Sequence, residues 1–505
     1  PTIMKNSTYY IYFLCIISLS YLQSCSTANS KNESAGNEQT LAISNVDQVL
    51  SDEFNLIAQK PPLGWNSFDS YDCRINEEEY KSIVDYMADN MKDKGWEYAI
   101  IDYIWWHPEP GNWDTPRRFG HPNIRYKENG EPLHPEYITM DEYGRLMPSV
   151  ERFPSAANGQ GFKPLADYVH SKGLKFGIHI MRGIHRYAAF KDTPIKDSKF
   201  TAADIAEPWD TCKWCNHMYG VDPTKEAAQA YYNSLFELYA SWGVDYIKAD
   251  DMMFQNYHKG EIEMMYKAIR NSGRPMVLSL SCGEAPLSQA PHLKENSNTW
   301  RISADFWDEW EHLKHSFDLL NSWASHRSES RWPDADMLPI GHISLNNRPH
   351  GPDRMSKFTE PEHYTLMTLF SIARSPLMWG GDPLSTPMET VETFLLNEEV
   401  LYVNQNSADN RQIIQHAERA IWIATDPKTG DRFLGLFNLS DQNKRVSFEF
   451  ELEYMRDAYK VRDLWAKKDL GVKEGKFGVS LPPHGAGLYR LTKADSNNNS
   501  SKADE

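Results

Sequence analysis

Acidic residues stand in this sequence where short apolar runs end, and carboxyl groups that converge on one site can do acid–base and nucleophilic chemistry. The carboxylates in question are Asp102 after AII, Asp250 and Asp251 after YIKA, Asp305 after WRISA, and Asp334 and Asp336 within WPDADML. Two carboxyl groups on either side of a glycosidic bond can carry out its whole hydrolysis, one as nucleophile or base and the other as general acid. That chemistry needs no metal and no other cofactor.

Large aromatic residues accompany these carboxylates. They are Trp65, Phe68, Trp105, Trp106, Trp300 and Trp379. A sugar offers apolar ring faces to aromatic side chains and hydroxyls to carboxylates, so the combination suits a neutral, polyhydroxylated substrate. Any single aspartate in a loop is as readily explained by a helix N-cap or a surface salt bridge. That explanation is much weaker for a set of aspartates at successive strand ends.

The chain around these residues alternates between short apolar runs and amphipathic stretches of helical periodicity. Runs such as LKFGIHIM, VDYIKAD and PMVLSLS indicate strands, and residues 77–94 and 224–242 have helical patterns. Strand–helix alternation over about 340 residues favours parallel strands joined by crossover helices, and eight such units close into a barrel. We therefore predict an α/β fold with a (β/α)8 TIM barrel over residues 61–406 and an active site at the carboxyl ends of its strands. A doubly wound open sheet would show the same alternation, but no glycine-rich phosphate loop follows the first strand.

The last hundred residues have a different texture. Strand-like runs such as AIWIAT, RFLGLFNL and RVSFEFEL follow one another with turn signals and without helical stretches. This spacing predicts a C-terminal antiparallel β-sandwich over residues 407–493. The final segment, residues 494–505, is of low complexity and is predicted to be disordered.

The amino terminus has the features of an export signal. One lysine, Lys5, precedes an apolar run over 9–22 that is too short for a membrane span, and LQSC then ends at Cys25. LQSC resembles a bacterial lipobox, so we predict a signal peptide over 1–25, a lipid anchor on Cys25 and a flexible tether over 26–60. The protein is then expected in the periplasm or at the cell surface, anchored to a bacterial membrane. The alternative is an ordinary secretory signal in which Cys25 has no role.

Composition excludes other classes of protein. Lys and Arg number 53 against 70 Asp and Glu, which gives a formal net charge of −17. A nucleic-acid partner is not expected, because binding to phosphates requires a basic face. Six cysteines in 505 residues are too few for a disulfide scaffold.

Five motifs together resemble glycoside hydrolase family 27, the retaining α-galactosidase and α-N-acetylgalactosaminidase family. They are PLGWNS at 62–67, WGVDYIKAD at 242–250, WRISAD at 300–305, WPDADML at 332–338 and SPLMW at 375–379. All five occur in the family's order at the strand ends predicted above. The resemblance covers residues 61–406 and implies a barrel, and the family usually carries a sandwich domain after it.

The resemblance also implies roles for the reacting carboxylates. Asp250 matches the family's nucleophile and Asp305 its general acid/base. Lys248 lies two residues before Asp250 on the same strand, so it points to the same face and can hold a sugar hydroxyl. This arrangement implies double displacement with retention and a carboxyl separation of about 5–5.5 Å.

Further positions match the family's sugar-binding residues. Arg301 and Asp336 match contacts to sugar hydroxyls, Asp102 matches the first of a pair of acids that bind the far-side hydroxyls, and Trp65 matches the wall of the site. The expected partner is an oligosaccharide or glycoside, and the expected contact with a membrane is the N-terminal lipid anchor alone.

Several positions depart from the family pattern. The second acid beside Asp102 is replaced by Tyr103, and the tyrosine usual after the third strand's Gly-Ile is replaced by His179. We expect His179 to contact the sugar, whereas Arg182 is equally compatible with a sugar contact and with an aspartate partner. Gly283 stands where the family distinguishes a 2-hydroxyl from a 2-acetamido group, and it leaves room for a larger substituent or for Glu284.

The cysteines also depart from it. The family's disulfide partners of Cys73 and Cys282 fall at Ile104 and Ser297, so neither bond can form. Cys212 and Cys215 are compatible with a disulfide, a pair of free thiols or half of a zinc site, of which a disulfide suits an exported protein best.

The sequence thus predicts a retaining exo-glycosidase that removes terminal α-galactosides or a related galacto-configured sugar. Alternatives within the class are an α-N-acetylgalactosaminidase and a β-L-arabinopyranosidase, whose sugars differ at C2 or C6. A glycan-binding lipoprotein without catalysis is the alternative from another class, and retention of both carboxylates with Lys248 speaks against it. A metal-dependent barrel hydrolase would need a His-x-His motif at a strand end, but His179 is followed by Ile180 and Met181.

Overall fold

The structure is a computed structural model that describes residues 56–110, 126–345 and 352–494. The predicted signal peptide with Cys25, the tether up to residue 55 and the tail from residue 495 lie outside the described residues. Among the helices described, none is sufficiently long and apolar to cross a membrane.

Eight parallel strands form the first sheet, in the order β7-β6-β5-β4-β3-β2-β1-β8. They are β1 (Leu63–Asn66), β2 (Tyr98–Ile101), β3 (Lys175–Met181), β4 (Tyr246–Asp250), β5 (Val277–Leu280), β6 (Thr299–Arg301), β7 (Trp332–Asp334) and β8 (Leu377–Trp379). Strands such as β2 (YAII) and β5 (VLSL) are buried along their whole length. Parallel strands covered on both faces read as near-continuous apolar runs, which is why this pattern predicted them.

The sheet closes on itself just beyond β7. Leu338 pairs with Trp379 of β8 in a parallel bridge, and its amide donates to the carbonyl of Met378 at 2.7 Å. The sheet is therefore a barrel, as predicted, and all eight strands place their carboxyl ends on one face.

Helices follow most of the strands and cover the barrel. The longer ones are Glu77–Asn90, Lys163–Ser171, Ala228–Trp242, Lys259–Asn271, Trp310–Trp323, Glu360–Ala373 and Glu398–Asn406, and shorter ones are Phe68–Tyr71, Arg186–Lys191, Ala202–Ile205, Ala290–Asn296 and Met388–Thr390. Local capping signals set some of their starts. Asn76 and Glu79 form a reciprocal capping box at the start of Glu77–Asn90, which satisfies two amides left free by the first turn.

Two excursions leave the carboxyl-terminal face of the barrel. After β3, the segments Ile184–His185, Ala206–Thr211 and Met218–Val221 form a small antiparallel sheet. After β7, His342–Ile343 pairs with Arg354–Met355. Cys212 and Cys215 lie in the first excursion and are both buried free thiols, so the disulfide expected between them is not formed.

The C-terminal residues form two antiparallel sheets. Six strands lie in the order β9-β10-β11-β16-β13-β14 and two further strands, β12 and β15, pair with each other. The strands are β9 (Ala408–His416), β10 (Arg419–Thr425), β11 (Arg432–Asn438), β12 (Lys444–Glu449), β13 (Tyr459–Asp463), β14 (Lys468–Lys473), β15 (Lys476–Leu481) and β16 (Ala486–Lys493). This is the β-sandwich that the sequence predicted.

The central strands of the large sheet are buried on both faces. Along β10, Ile421 and Ile423 pack into the sandwich interior, whereas Trp422 between them packs into the barrel's hydrophobic core. Helix Glu360–Ala373 is buried on nearly every side because it lies between the barrel and this sheet. The sandwich therefore packs against the side of the barrel and does not cover the carboxyl ends of the barrel strands.

Candidate active site

A cavity of about 240 Å³ opens at the carboxyl ends of the barrel strands. Its lining combines carboxylates, two cations and aromatic rings: Phe68, Asp69, Asp102, Tyr103, Trp214, Lys248, Asp250, Phe254, Ser281, Cys282, Arg301, Asp305, Phe306, Trp307, Asp336 and Met337. Sites for drug-sized ligands span about 300–1,000 Å³, so this cavity suits a single small ring.

Strand geometry brings the polar residues together. Asp102 follows β2, Lys248 and Asp250 lie two residues apart on β4, and Arg301 ends β6. Residues two apart on a strand point to the same face, so Lys248 and Asp250 both face the cavity. Six of the eight residues predicted to act on the substrate line it: Asp102, Lys248, Asp250, Arg301, Asp305 and Asp336.

Asp102 and Lys248 form a buried ion pair on the cavity floor. Lys248 donates from Nζ to Oδ2 of Asp102 at 2.8 Å, and Asn66 donates to the same oxygen at 2.7 Å. Burial raises the pKa of Asp102, but the charges of Lys248 and His179 and the hydrogen bonds from Lys248 and Asn66 together outweigh burial, and the pKa falls to about 2. Asp102 is therefore an anion throughout the physiological range and a constant acceptor for a hydroxyl.

Asp250 is held as a carboxylate by its neighbours. His179 contacts its Oδ2 at 2.9 Å, and the backbone amide of Asp251 donates to Oδ1 at 2.7 Å. Burial raises the pKa of Asp250, but the hydrogen bond and charge of His179 and the charge of Lys248 together bring the pKa below its usual range. An ionised, oriented carboxylate is what a nucleophile requires.

Asp305 stands at the mouth of the cavity on the far side of the barrel from β2. Arg301 contacts Oδ1 of Asp305 through Nη2 at 3.2 Å and Oδ1 of Asp336 through Nη1 at 2.9 Å. The side chain of Asp305 is 63% exposed, so water reaches its carboxyl group. Burial raises the pKa of Asp336, and the charge of Arg301 opposes that rise.

Two residues expected to touch the sugar, Trp65 and His179, are not among the side chains that line the cavity. Trp65 is fully buried and its indole nitrogen donates to the carbonyl of Gly381 at 2.8 Å. His179 lies opposite Lys248 in the β3–β4 register and is paired with Asp250 instead. Both side chains are buried, and each contacts another part of the protein at this end of the barrel.

The position of the family's second acid is occupied by an aromatic wall, formed by Tyr103 and Trp214. The two rings meet edge to face with centroids 5.9 Å apart. Behind the wall, the phenol oxygen of Tyr103 lies 3.0 Å from Sγ of Cys215 and 3.3 Å from Nδ1 of His217. Burial raises the pKa of Tyr103 far above its usual range, so the aromatic wall itself is uncharged.

The space beside Gly283 is taken up by protein. A Cβ at this position would lie 3.0 Å from the backbone of Phe254, which itself lines the cavity. Glu284 points away from the cavity towards His315, 3.6 Å distant. Glu284 is therefore not turned into the cavity, and a side chain at position 283 would press on the backbone of Phe254.

Arg182 is bound to acidic side chains rather than placed on the cavity. Its guanidinium is 2.8 Å from Asp210, 2.9 Å from Asp251 and 2.7 Å from Glu261. Asp210, His258 and Glu261 converge closely enough to hold a cation. The guanidinium of Arg182 already supplies the positive charge between Asp210 and Glu261, so the cluster is a structural ion-pair node.

Several lining residues were not anticipated from the sequence. Trp214 belongs to the excursion after β3, Phe254 to the loop after β4, and Asp69 to the first helical turn after β1. Asp69 is the first acidic residue after the first strand, so the strand-end rule that selected Asp102 and Asp250 would also have found it. No comparable signal marked Trp214, because it is far from any barrel strand end in sequence.

Comparisons with known proteins agree with this geometry. Residues 136–214 and 225–406 match the family model described as alpha galactosidase A, and residues 417–491 match the alpha galactosidase C-terminal beta sandwich domain. The crystal structure of a GH27 β-L-arabinopyranosidase from Geobacillus stearothermophilus superposes with a TM-score of 0.82 at 45% identity, covering 88% of this chain and 99% of that one. Alpha-galactosidase 3 of Arabidopsis thaliana is 28% identical over 87% of this chain and 83% of its own. An alpha-N-acetylgalactosaminidase of Gallus gallus is 24% identical over 86% and 94%, respectively.

Proposed function

Because the chain belongs to glycoside hydrolase family 27, and is thus a galactosidase-type glycosidase, we propose that it works by double displacement with Asp250 as nucleophile and Asp305 as general acid/base. The single observation that carries this proposal is the contrast between the two carboxyl groups. Asp250 is buried and held ionised, whereas Asp305 stands exposed at the mouth of the same cavity. A retaining enzyme needs one carboxylate that is permanently charged and one that can gain and lose a proton.

The reaction follows from these two environments. Asp250 attacks the anomeric carbon while Asp305 gives its proton to the departing glycosidic oxygen, which leaves a glycosyl ester on Asp250. Asp305, now a carboxylate, takes a proton from a water molecule as that water attacks the same carbon. The ester bond breaks, the electron pair returns to Asp250, and the sugar leaves with its original anomeric configuration.

The remaining polar residues of the cavity are placed to hold the sugar. Asp102 with Lys248 and Arg301 with Asp336 form two charged pairs, each with atoms left to bind hydroxyls. Buried charged groups discriminate strongly, since a substrate that lacks the matching hydroxyl leaves them unpaired.

For the substrate we propose a preference for β-L-arabinopyranosides over α-galactosides. The two sugars share their ring configuration, and the arabinopyranoside lacks the hydroxymethyl group (C6) that galactose carries on C5. The aromatic wall supports this preference, because Tyr103 puts a neutral ring where the family's second acid would bind a hydroxyl. The similarity to the Geobacillus β-L-arabinopyranosidase supports it independently.

A panel of aryl glycosides tests substrate and mechanism together. We expect the highest kcat/KM on the β-L-arabinopyranoside, lower turnover of the α-galactoside and a product that retains its configuration when followed by NMR. Asp250→Asn and Asp305→Asn should each lower kcat by about 1,000-fold or more, and Glu284→Gln, a charge change on a side chain that does not line the cavity, should not. An inverted product, or full activity in Asp250→Asn, would refute the mechanism.

We further propose that the protein is exported and anchored through Cys25. The apolar run over 9–22 and the LQSC motif support this proposal. Expression in a bacterium with labelled palmitate should give a labelled membrane-bound protein, and Cys25→Ala should lose both label and membrane association. A wild-type protein without label would contradict the anchor.

A further inference from the structure

Asp69 carries a carboxyl group on the cavity that the mechanism above does not use. It lies in the helical turn Phe68–Tyr71 directly after β1, is 3% exposed and lines the cavity. Its Oδ2 is buried and has no hydrogen-bond partner within 56–110, 126–345 and 352–494. Buried polar atoms are nearly always hydrogen-bonded, so an unpaired oxygen on a residue that lines the cavity points to a partner that enters the cavity.

The backbone at the end of β8 makes room for this carboxyl group. A Cβ on Gly380 would lie 2.1 Å from Oδ2 and 2.5 Å from Cγ of Asp69. The three atoms nearest to that Cβ all belong to the side chain of Asp69. Glycine at position 380 therefore allows the carboxyl to lie against the strand end without any hydrogen bond from it.

Burial and the charges around Asp69 favour its protonated form. Burial raises its pKa well above the usual range, Asp336 raises it further, and Asp102 and Asp308 act in the same direction against the opposing charge of Lys248. A protonated carboxyl group has one O–H donor and a free acceptor oxygen. It can therefore both donate to a sugar hydroxyl and accept from one.

We infer that Asp69 binds a hydroxyl of the glycone other than the one that an acid at position 103 would bind. This inference rests on the proposed function. β1 and β2 are neighbours in the barrel, so Asp69 and Tyr103 reach the same cavity from adjacent strand ends. Asp69 is thereby a specificity-determining residue for the reaction.

The test compares kcat/KM of the wild type and of Asp69 variants on a parent aryl glycoside and on derivatives that each lack one hydroxyl. We expect Asp69→Leu to lower kcat/KM on the parent substrate by roughly 10- to 100-fold, and to cause no such loss on the one deoxy substrate that lacks the bound hydroxyl. Asp69→Asn, whose amide can donate and accept, should retain most of the activity. Gly380→Ala should reproduce the hydroxyl-specific loss, because its methyl group displaces the carboxyl.

Asp72→Asn is the matched control. Asp72 is also buried, lies three residues further along the chain and does not line the cavity. In Asp72→Asn, the ratio of kcat/KM on the parent substrate to kcat/KM on each deoxy substrate should therefore stay as in the wild type. Unchanged kcat/KM in Asp69→Leu, or an equal loss on every deoxy substrate, would overturn the inference. If Asp69→Leu does not fold, Gly380→Ala with Asp69→Asn decides the question by the same criterion. Wild-type protein that turns over no galacto-configured glycoside would instead refute the proposed function.

Discussion

His179 donates a hydrogen bond from Nε2 to Oδ2 of Asp250, with 2.9 Å between the two atoms. An ionised carboxylate can only accept, so Nε2 must carry the proton. The ring is fixed by its edge-to-face contact with Tyr103, and its strand is held by Trp105, which donates to the carbonyl of His179 at 2.7 Å. His179 thus orients the proposed nucleophile and stabilises its charged form.

Removing this hydrogen bond should slow the second half of the reaction. A stabilised carboxylate leaves a glycosyl ester more readily, so His179→Phe should accumulate the intermediate and give a burst of aryl alcohol. Because the bond lowers the pKa of Asp250, its loss raises that pKa and moves the acid limb of the kcat/KM profile to higher pH. His179→Tyr differs from His179→Phe by one hydroxyl and should reverse both effects. Identical pH profiles for all three proteins would contradict this role.

Breaking the Asp102–Lys248 pair should reduce stability and activity together. In Lys248→Met, Asp102 is left as an uncompensated buried anion, which typically costs about 3–5 kcal/mol of unfolding free energy. The double variant Lys248→Met with Asp102→Asn should regain part of that stability but none of the activity. Urea denaturation followed by fluorescence measures the first quantity. Additive losses in the double variant would show that the two residues are not coupled.

The same pair predicts how stability depends on acid. The pKa of Asp102 is lowered to about 2 in the folded protein, so its stabilisation is complete above the unfolded pKa of about 3.9 and is lost as pH falls towards 2. The loss should be about 2 kcal/mol between pH 4 and pH 2. The unfolding free energies of wild type and Asp102→Asn, measured by denaturation at several pH values in this range, should converge as the pH falls. If the difference in unfolding free energy between the two proteins did not change with pH, Asp102 would be excluded as the source of the acid-dependent loss.

Replacing Tyr103 should change the preference at C6. Tyr103→Asp restores an acid beside Asp102 and should shift the ratio of kcat/KM values towards the α-galactoside by about tenfold or more. Tyr103→Phe preserves the ring of the aromatic wall and removes the phenol oxygen beside Cys215, so it should keep the wild-type ratio. The two ratios are measured on paired aryl substrates. A shift of the same size in Tyr103→Phe would mean that wall packing, and not the missing acid, sets the preference.

Arg182 should matter for stability far more than an exposed cation does. Arg182→Met leaves Asp210, Asp251 and Glu261 without their shared cation and should cost about 3–5 kcal/mol. The comparison is Lys163→Met, which removes an exposed pair with Asp167 and should cost less than about 1 kcal/mol. Burial raises the pKa of Asp251 to about 6 and also raises the pKa of Glu261, so the destabilisation by Arg182→Met should shrink as the pH falls and these two groups take up protons. An equal loss of unfolding free energy in Arg182→Met and Lys163→Met would refute the stabilising role of Arg182.

Local pattern was sufficient for the fold and for the residues that end the strands. Buried parallel strands leave an apolar run in the sequence, and a charged residue at the end of such a run has few places to lie other than the carboxyl-terminal face of the barrel. Asp102, Lys248 and Asp250 could be predicted as cavity residues for this reason. The change to strand-only texture near residue 407 likewise predicted the sandwich.

Contacts between distant segments could not be predicted in this way. His179 was expected to touch the sugar, and only the β3–β4 register brings it to Asp250. Arg182 could have faced the substrate, but it is paired with three carboxylates that come from different segments. Trp214 reaches the cavity from an excursion whose path no periodicity encodes.

The sequence by itself therefore determined the barrel, the sandwich and the set of strand-end carboxylates, because these depend on residues that are neighbours along the chain. Only the tertiary structure decided which carboxylate is paired, which is exposed and which is left without a partner. Those states depend on burial and on charges contributed by other strands, as the contrast between Asp102, Asp305 and Asp69 shows. The pKa of a carboxyl group and its hydrogen-bond partners depend on its surroundings, and those surroundings exist only once the strands have closed into a barrel.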